Sequence, residues 1–206
     1  MASRRAPLEP GPRPQRHARR LHLDAPRARD RDEFLSLVRR SRAFHRRWIS
    51  PPSDAQAYAA YCRRLRSERY AGFLIRRNDD DALLGVVNLN EIVRGTFQSG
   101  YLGYWIGAPF AGQGYMREGL GLALRQAFGP LRLHRVEANV QPGNLASRAL
   151  VERLGFRLEG RSPRYLKIGG RWRDHDRFAL LAEDQPTAGR QSSAPTHPQD
   201  RAFPVR

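Results

Sequence analysis

Cysteine and lysine each occur once in this chain of 206 residues, as Cys62 and Lys167. A single cysteine excludes an internal disulfide framework. Cys62 shares a helical face with Tyr58, Tyr61 and Leu65, which favours a small core residue over a catalytic thiol. The lone lysine does not lie at the end of a glycine-rich loop, so the phosphate-binding motif of nucleoside triphosphatases is excluded.

Long apolar runs are also missing. Hydrophobic residues make up 40% of the chain, and no segment is long enough to cross a bilayer. The first residues are charged and rich in proline, without the apolar stretch of a secretory signal. We therefore expect one soluble domain at 20–183, located in the cytoplasm and without a membrane partner. Residues 1–19, basic and rich in proline and arginine, and 184–206 are predicted to be flexible tails.

Acidic residues are scarce relative to basic ones. Lysine and arginine together number 37 against 20 aspartates and glutamates, which gives a formal net charge of +17. The excess extends through the central region as well as the two ends of the chain. Such a field attracts polyanions such as the phosphates of coenzyme A, ribosomal RNA or other nucleic acids. A solubilising arginine-rich surface explains the composition equally well, so the charge alone names no partner.

The most informative segment that is present is the glycine turn at 110–118. A strand-like segment at 101–107 leads into it, and an amphipathic helix follows as far as Gly129. Gly112 and Gly114 let the backbone turn tightly, so that successive N–H groups can converge on an anion at the helix N-terminus. The glycine spacing does not fit a dinucleotide fingerprint, and the acidic residue that usually follows is absent. We therefore expect a different ligand that carries phosphates.

Hydrophobic spacing and turn residues predict the order of the other elements. The chain is predicted to begin with a strand at 21–23, followed by two helices that start with the capping boxes Asp30–Glu33 and Ser53–Gln56. Strands at 71–75 and 83–89 then precede the strand and helix on either side of the glycine turn. A strand at 135–140, a helix at 144–154 and two strands joined around Gly169 and Gly170 complete the order. No internal repeat is evident.

Four short motifs in a fixed order connect the chain to a known family. They lie at 93–97, 111–116, 144–147 and 170–175. The second is similar to a pyrophosphate-binding loop with the pattern Q/R-x-x-G-x-G/A. Over about residues 20–183 the chain resembles the GNAT family of acetyl-CoA-dependent N-acetyltransferases and, within it, the ribosomal-protein alanine N-acetyltransferases (RimJ/RimL-like).

The resemblance implies an α/β (α+β) fold. Its sheet is mixed but mostly antiparallel, is splayed next to the cofactor loop and carries helices on both faces. Two positions of the loop depart from the family pattern: Ala111 replaces the usual Gln or Arg, and Met116 replaces a small residue. Ala111 removes a side-chain contact, but the backbone cradle depends only on the glycine at Gly114.

The resemblance also implies a site for acetyl-CoA, with no metal. The expected binding residues are Ile106, Gly112, Gln113, Gly114, Tyr115, Met116, Arg117 and Asn144. A backbone N–H near Ile106 would donate to the thioester carbonyl, and Asn144 would bond the pantetheine arm. In the family, the serine that matches Ser147 lies near the thioester sulfur and serves as general acid. Asn144 and Ser147 also fit the first turn of a helix, so for Ser147 a catalytic and a structural role both remain open.

The proton acceptor is the least defined part of the predicted site. Direct transfer in a ternary complex needs no covalent nucleophile, but the attacking amine must lose a proton. The candidates are Glu91, Glu118 and Glu137, each of which also fits a solvated surface charge. Glu91 ranks first because its segment precedes the substrate side of the sheet, whereas Glu118 already complements the dipole of its helix. A chain of water molecules is equally plausible.

Charged residues alternate around Trp172 in the segment 171–176. This pattern favours an edge strand with cross-strand ion pairs and hydrogen bonds. His175 is a weaker alternative for the base, because an imidazole titrates near neutral pH. Tyr165 is expected either to line the acceptor cleft or to pack in the sheet.

We therefore expect an enzyme that transfers an acetyl group from acetyl-CoA to a protein N-terminal α-amine. By resemblance, the acceptor is the N-terminal alanine of a small-subunit ribosomal protein. An α-amine has a pKa of about 7.7–8.0 and a lysine side chain one of about 10.4, so a weaker base is sufficient to deprotonate the α-amine. The alternatives are acetylation of a small amine such as a drug or polyamine, or a catalytically silent protein that binds ribosomes or RNA.

Overall fold

Seven strands and five helices make up the described part of the chain, which in this computed structural model comprises residues 20–45 and 47–185. The strands are β1 (Leu21–Asp24), β2 (Ala71–Arg77), β3 (Leu83–Val93), β4 (Ser99–Ile106), β5 (Arg135–Val140), β6 (Arg157–Ile168) and β7 (Arg171–Leu181). The helices are α1 (Arg31–Arg40), α2 (Arg42–His45), α3 (Ala55–Arg64), α4 (Tyr115–Phe128) and α5 (Leu145–Arg153). Apart from the short α2, this is the predicted order.

All seven strands form one sheet, in the order β1-β2-β3-β4-β5-β7-β6. Neighbouring strands are antiparallel except for β4 and β5, which are parallel. The helices lie on both faces. The predicted mixed, mostly antiparallel sheet is therefore confirmed.

The two parallel strands diverge after a short paired stretch. Pairing begins at Ser99 with Arg135 and ends at Leu102 with Ala138. Beyond that point β4 continues to Ile106 without pairing to β5. The result is a wedge-shaped gap between β4 and β5, which is the splay that the resemblance implied. The N-terminus of α4 lies at the same end of the sheet as this gap, because α4 follows β4 after a short turn.

Two hydrophobic cores, one on each face, hold the helices on the sheet. Helices α4 and α5 belong to one core, in which Leu120 and Val151 are completely buried. Helices α1 and α3 belong to the other, in which the rings of Phe34 and Tyr58 lie 4.8 Å apart. Burying a side chain of this size contributes about 1.5–3 kcal/mol. Cys62 packs against this second core, as predicted.

Strand β4 contributes to both cores. Leu102, Tyr104 and Ile106 pack on the α4 and α5 side, as the alternation of the sequence predicts. Trp105 points the other way and makes an edge-to-face contact of 5.4 Å with Phe34. Because both faces of β4 are held, the position of its free edge along the gap is fixed.

The predicted capping boxes are both wrong. Asp30 accepts a hydrogen bond from the Arg27 N–H at 2.8 Å and caps a 3₁₀ turn, while Glu33 accepts from the Leu83 N–H at 2.8 Å. The cause is Arg76, only 6% exposed, whose guanidinium pairs with Asp30 at 2.8 Å and Glu33 at 3.0 Å. An unpaired buried guanidinium costs more free energy than an uncapped helix terminus, so both carboxylates pair with Arg76.

Helix α3 begins one residue later than predicted. Asp54, not Ser53, is the N-cap, and its side chain accepts from the Ala57 N–H at 2.8 Å. A carboxylate makes a stronger, charge-assisted bond to a backbone N–H than a hydroxyl does. The sequence offered two adjacent capping residues, and the better acceptor is the one used.

The ends of the domain are defined only in part. Residues 1–19 and 186–206, most of the predicted tails, lie outside the described residues. Asp184, in the predicted second tail, donates its N–H to the Leu181 carbonyl at 3.2 Å. Within residues 20–45 and 47–185, none of the helices combines the length and apolar character that a bilayer crossing requires.

Candidate active site

A cavity of about 920 Å³ fills the gap between β4 and β5. Residues on the α4 and α5 side of its wall include Gly112, Gly114, Met116, Arg117, Asn144 and Ser147. The rest of the wall includes His45, Trp48, Glu91, Asn139, Tyr165 and His175. Since both faces of the sheet contribute to the wall, the cavity reaches both of them. Its volume suits an extended ligand with a second reactant at its end.

One end of the cavity is an anion cradle made of backbone. Gly112 and Gly114 have φ angles of 76° and 81°, in the left-handed region that glycine favours. Gly114 is the N-cap of α4, and the first helical hydrogen bond runs from the Glu118 N–H to the Gly114 carbonyl. The N–H groups ahead of Glu118 therefore have no partner within the helix. No heavy atom lies within 4 Å of the position that a Cβ on Gly112 would take. The cradle therefore fits a pyrophosphate.

The side chains of the loop hold its shape. Gln113 Nε2 donates to the Pro109 carbonyl at 2.9 Å, and the Tyr115 ring lies 4.6 Å from the Arg20 guanidinium carbon. Met116 is 9% exposed and packs into the core with α4. Its size therefore does not obstruct the cradle, which explains how a large residue is tolerated there. Gln113 and Tyr115 are not among the residues that line the cavity, and their binding role stays a prediction.

A buried hydroxyl pair lies where α5 begins. The Tyr104 hydroxyl and Ser147 Oγ are 2.6 Å apart, and the Ser147 N–H donates to Asn144 Oδ1 at 3.2 Å. Burial raises the pKa of Tyr104 to about 12, although the hydrogen bond with Ser147 opposes this shift. Tyr104 therefore stays protonated at neutral pH and can supply a proton to Ser147. The capping interpretation of Asn144 is confirmed.

Tyr104 was not predicted as a site residue. Its position between Leu102 and Ile106 on the strand indicated only core packing. The available signal was its hydroxyl, because a buried tyrosine usually places that group against a polar partner.

The backbone of β4 at Ile106 faces the gap. The neighbouring Gly107 N–H donates to the Leu84 carbonyl of β3 at 2.7 Å. In an antiparallel pair, successive residues alternately face the partner and face away from it. The N–H and carbonyl of Ile106 therefore point away from β3, and His45 Nε2 donates to that carbonyl at 2.7 Å. This leaves the Ile106 N–H at the predicted position for a carbonyl donor.

Four described residues between α1 and α3 close one side of the cavity: Phe44, His45, Trp48 and Ile49. Besides the bond from His45 to Ile106, Gln141 Nε2 donates to the Trp48 carbonyl at 3.1 Å. The Trp48 ring also lies 3.5 Å from the Cβ position of Gly143. We call these four residues the strap, because they join the free end of β4 to the free end of β5. The role of the strap was not predicted from the sequence.

The predicted acidic candidates differ in their placement. Glu118 accepts from both the N–H and Nε of Arg20, each at 3.0 Å, and Glu137 pairs with Arg135 at 2.8 Å. Only Glu91 lines the cavity, and it pairs with Arg69. A hydrogen bond of 2.6 Å from the Tyr70 hydroxyl, with the charge of Arg69, lowers the pKa of Glu91. A carboxylate stabilised in its charged form is a weak base.

Strand β7 is not the predicted edge strand, because β6 lies outside it. The expected cross-strand ion pairs are present, for example between Arg161 and Asp176 at 2.7 Å. His175, however, is 2% exposed and takes no part in an ion pair of the described residues. Its Nδ1 donates to the Arg173 carbonyl at 2.9 Å, and burial lowers its pKa.

The described residues do not include a group of three or more histidine, cysteine, aspartate or glutamate side chains suited to a metal ion. The polar groups that line the cavity include backbone N–H groups, hydroxyls, imidazoles, amides, guanidinium groups and the paired carboxylate of Glu91. These groups suit acyl transfer to an amine.

Comparison with known proteins identifies the fold and the family of the chain. The family described as acetyltransferase (GNAT) domain matches residues 20–157. The chain is 34% identical over 163 residues to the Probable N-acetyltransferase YjcK of Bacillus subtilis, which covers 75% of this chain and 90% of that protein. It is 44% identical over 106 residues to the ribosomal protein uS5-alanine N-acetyltransferase of Escherichia coli, across 52% of this chain and 55% of that one.

A solved structure gives the same result. Mycobacterium smegmatis RimJ in complex with CoA-disulfide superposes with a TM-score of 0.75 at 30% identity, over 81% of this chain and 84% of that one. The predicted family is confirmed, and the CoA-disulfide bound in that structure agrees with the predicted acetyl-CoA donor, while the roles of the individual site residues stay predictions. The chain belongs to the GNAT family of N-acetyltransferases.

Proposed function

We propose that this acetyltransferase modifies the N-terminal α-amine of another protein, preferably the N-terminal alanine of a small-subunit ribosomal protein. The observation that carries the proposal is the cavity between β4 and β5, with an anion cradle at one end and lining residues from both faces of the sheet. The printed name of the Escherichia coli relative, which acts on an alanine of uS5, supports the acceptor class. Ribosomal proteins are made in the cytoplasm, so this substrate would place the reaction there.

Binding of acetyl-CoA would begin at the cradle. The free N–H groups ahead of Glu118 would hold the pyrophosphate, aided by the positive end of the α4 dipole. Arg117 lines the cavity next to them and would add a positive charge. The pantetheine arm would then lie in the gap along the unpaired edge of β4, with Asn144 as a side-chain partner.

The transfer step would use β4 and α5 on either side of the thioester. The Ile106 N–H would donate to the carbonyl oxygen as negative charge develops there. The amine nitrogen would form a bond to the carbonyl carbon, and the carbon–sulfur bond would break with its electron pair on sulfur. Ser147, backed by the Tyr104 hydroxyl at 2.6 Å, would return a proton to that sulfur.

The chemistry of the wall favours an α-amine over a lysine or a polyamine. Among the residues that the structure describes, Glu91 is the single carboxylate in the wall, and it is paired with Arg69, so the cavity offers little attraction for a multiply charged amine. An α-amine titrates near about 7.7–8.0, so a substantial fraction is already neutral near physiological pH. A weak base is therefore sufficient.

The proposal is tested by calorimetric titration of acetyl-CoA, followed by thiol release with peptides that differ only in the acceptor. The panel contains an N-terminal alanine, an N-terminal serine, an N-acetylated peptide with an internal lysine, and spermidine. Turnover greatest on the alanine peptide would support the proposal. Binding without turnover on any N-terminal amine, or turnover on spermidine alone, would contradict it and leave the family assignment intact.

A further inference from the structure

The gap between β4 and β5 has chemically different sides. Phe178 and Leu180 of β7 and Val140 of β5 belong to the core beneath α4 and α5. Because side chains alternate along a strand, His175 and Asn139 point to the opposite face. The hydroxyl pair on the α5 side suits proton donation to sulfur. The attacking amine must then approach from the other face, where a proton acceptor is required.

His175 is the group on that face that is equipped to accept a proton. It lines the cavity while being 2% exposed, and it makes an edge-to-face contact with the Tyr165 ring at 6.3 Å. Its Nδ1 carries a hydrogen, because that nitrogen donates to the Arg173 carbonyl at 2.9 Å. In a neutral imidazole the other nitrogen is then an acceptor, so Nε2 presents its lone pair.

The other two candidate bases on this side, Glu91 and His45, already make other interactions. Glu91 is held in its charged form by Tyr70 and Arg69. His45 uses Nε2 to bond the Ile106 carbonyl, and its Nδ1 is fully buried without a partner among the described residues. A buried nitrogen with no access to the cavity cannot take a proton from a substrate.

We propose that His175 is the general base of this enzyme, accepting at Nε2 the proton that the acceptor amine loses. The nitrogen lone pair forms the new bond to the acetyl carbon, the proton on nitrogen passes to His175, and the thiolate that leaves on the α5 side receives its own proton from Ser147. The imidazolium then returns its proton to solvent, and Ser147 regains a proton from solvent through the Tyr104 hydroxyl, so that both groups end the cycle in their starting state. This assignment rests on the proposed function for the identity of the amine, but it applies to any amine that enters from that face.

The surroundings of His175 leave its ring unprotonated and still able to accept a proton. Asp174 and Asp176 on its own strand stabilise an imidazolium, as does the Arg173 carbonyl. Tyr165 from β6 packs against the ring of His175, and the positive charge of Arg177, two positions along the same face of β7, opposes protonation. Burial is the largest influence and lowers the pKa of His175 below its usual value. The ring is therefore unprotonated when the amine arrives.

The main test replaces His175 with asparagine. In His175→Asn the amide can still donate to the Arg173 carbonyl, so the local fold is kept while the Nε2 acceptor is lost. At neutral pH we expect kcat with the alanine peptide to fall by about 10²–10³-fold, with the Kd for acetyl-CoA unchanged within about twofold. The deficit should shrink at alkaline pH, because hydroxide can then take the proton that the attacking nitrogen loses.

His134→Gln is the matched control. This histidine lies on the surface before β5, where it pairs with Glu183 at 3.2 Å, and its replacement should leave every parameter unchanged. A loss below about fivefold for His175→Asn at neutral pH would overturn the proposal, as would a deficit that is the same at every pH and accompanied by weaker acetyl-CoA binding. The latter result would indicate a structural role.

Failure of the proposed function would be distinguishable. If the wild-type protein acetylates a different amine, the same comparison is made with that amine. If it acetylates none of the panel, the tautomer of His175 is measured by ¹⁵N NMR instead. A hydrogen on Nδ1 and a pKa below that of free histidine support the proposal, whereas a hydrogen on Nε2 or a raised pKa overturns it.

Discussion

The two sides of the gap between β4 and β5 are built by different means. On the α4 and α5 side, the groups that face the ligand come from two short segments, 112–117 and 144–147, and many of them are backbone N–H groups. On the strap side, His45, Glu91 and His175 come from three distant parts of the chain and act through their side chains. The first side is therefore encoded locally, whereas the second exists only after the sheet has assembled.

The largest expected effect is on the backbone side. Gly114→Val would place a branched side chain at the N-cap of α4 and force a non-glycine residue to φ 81°. We expect acetyl-CoA affinity to fall by more than about 100-fold, while thermal unfolding stays cooperative with a stability loss of about 1–3 kcal/mol. Calorimetric titration and thermal denaturation measure the two quantities.

Gly121→Val is the control for this variant. Gly121 lies in the same helix, outside the cavity wall, where the nearest atom to an added Cβ is an Arg125 nitrogen at 4.0 Å. It should bind acetyl-CoA normally. Retained affinity in Gly114→Val would remove the cradle from the proposed site.

The hydroxyl pair tests the side-chain chemistry of the same face. Ser147→Ala should lower kcat by about 100-fold with little change in acetyl-CoA affinity, because it removes the proposed donor to sulfur. Tyr104→Phe should have a smaller effect, since Ser147 then keeps its hydroxyl but loses its partner at 2.6 Å. Since the pKa of Tyr104 is about 12, the wild-type rate should show no alkaline decline due to this group below that value. Equal turnover in Ser147→Ala and wild type would leave Ser147 with a structural role only.

The strap tests the assembled side of the gap. His45→Leu removes the donor to the Ile106 carbonyl and should cost about 1–3 kcal/mol of stability, because a buried carbonyl loses its partner. It should also raise the KM for the peptide more than that for acetyl-CoA. His45→Gln, which retains an N–H donor, should recover most of both losses. If the two variants behave alike, the bond does not anchor the strap.

The smallest expected effect is on stability at mildly acidic pH. Burial lowers the pKa of both His45 and His175 in the folded protein. The unfolded chain then binds protons more readily, so their contribution is complete above about 6.5 and is lost as the pH falls below it. The free energy of unfolding should decrease in that range, and His45→Leu should show a shallower decrease. An identical slope in both proteins would contradict this account.

The same contrast explains what could be predicted from the sequence. Strand β5 was predicted with its observed bounds, and the glycine turn gave both the cradle and the start of α4, because these features depend on neighbouring residues. The capping boxes failed because the buried Arg76 withdraws the carboxylates of Asp30 and Glu33 from α1. That competition arises between residues more than forty positions apart, which periodicity does not reveal.

The residues around the proposed site show the same limit of prediction from the sequence. His175 was predicted to lie on an edge strand, but β6 pairs outside β7 and buries it. The alternation of apolar residues on β4 indicated only core packing for Tyr104 and gave no sign of a role for its hydroxyl. Nothing in the sequence around His45 and Trp48 indicated that these residues connect the ends of β4 and β5. Sequence patterns indicate which face of an element is buried, but they do not reveal which distant side chains meet there.

The backbone origin of the anion cradle determines what mutagenesis can detect. Alanine retains the N–H group, so replacing Gln113, Tyr115 or Met116 by alanine leaves in place every amide that would contact the pyrophosphate. An alanine scan would therefore score this loop as unimportant, although it is the proposed binding site of the donor substrate. Proline, which lacks the N–H, and branched residues at the left-handed positions are the substitutions that would expose its role.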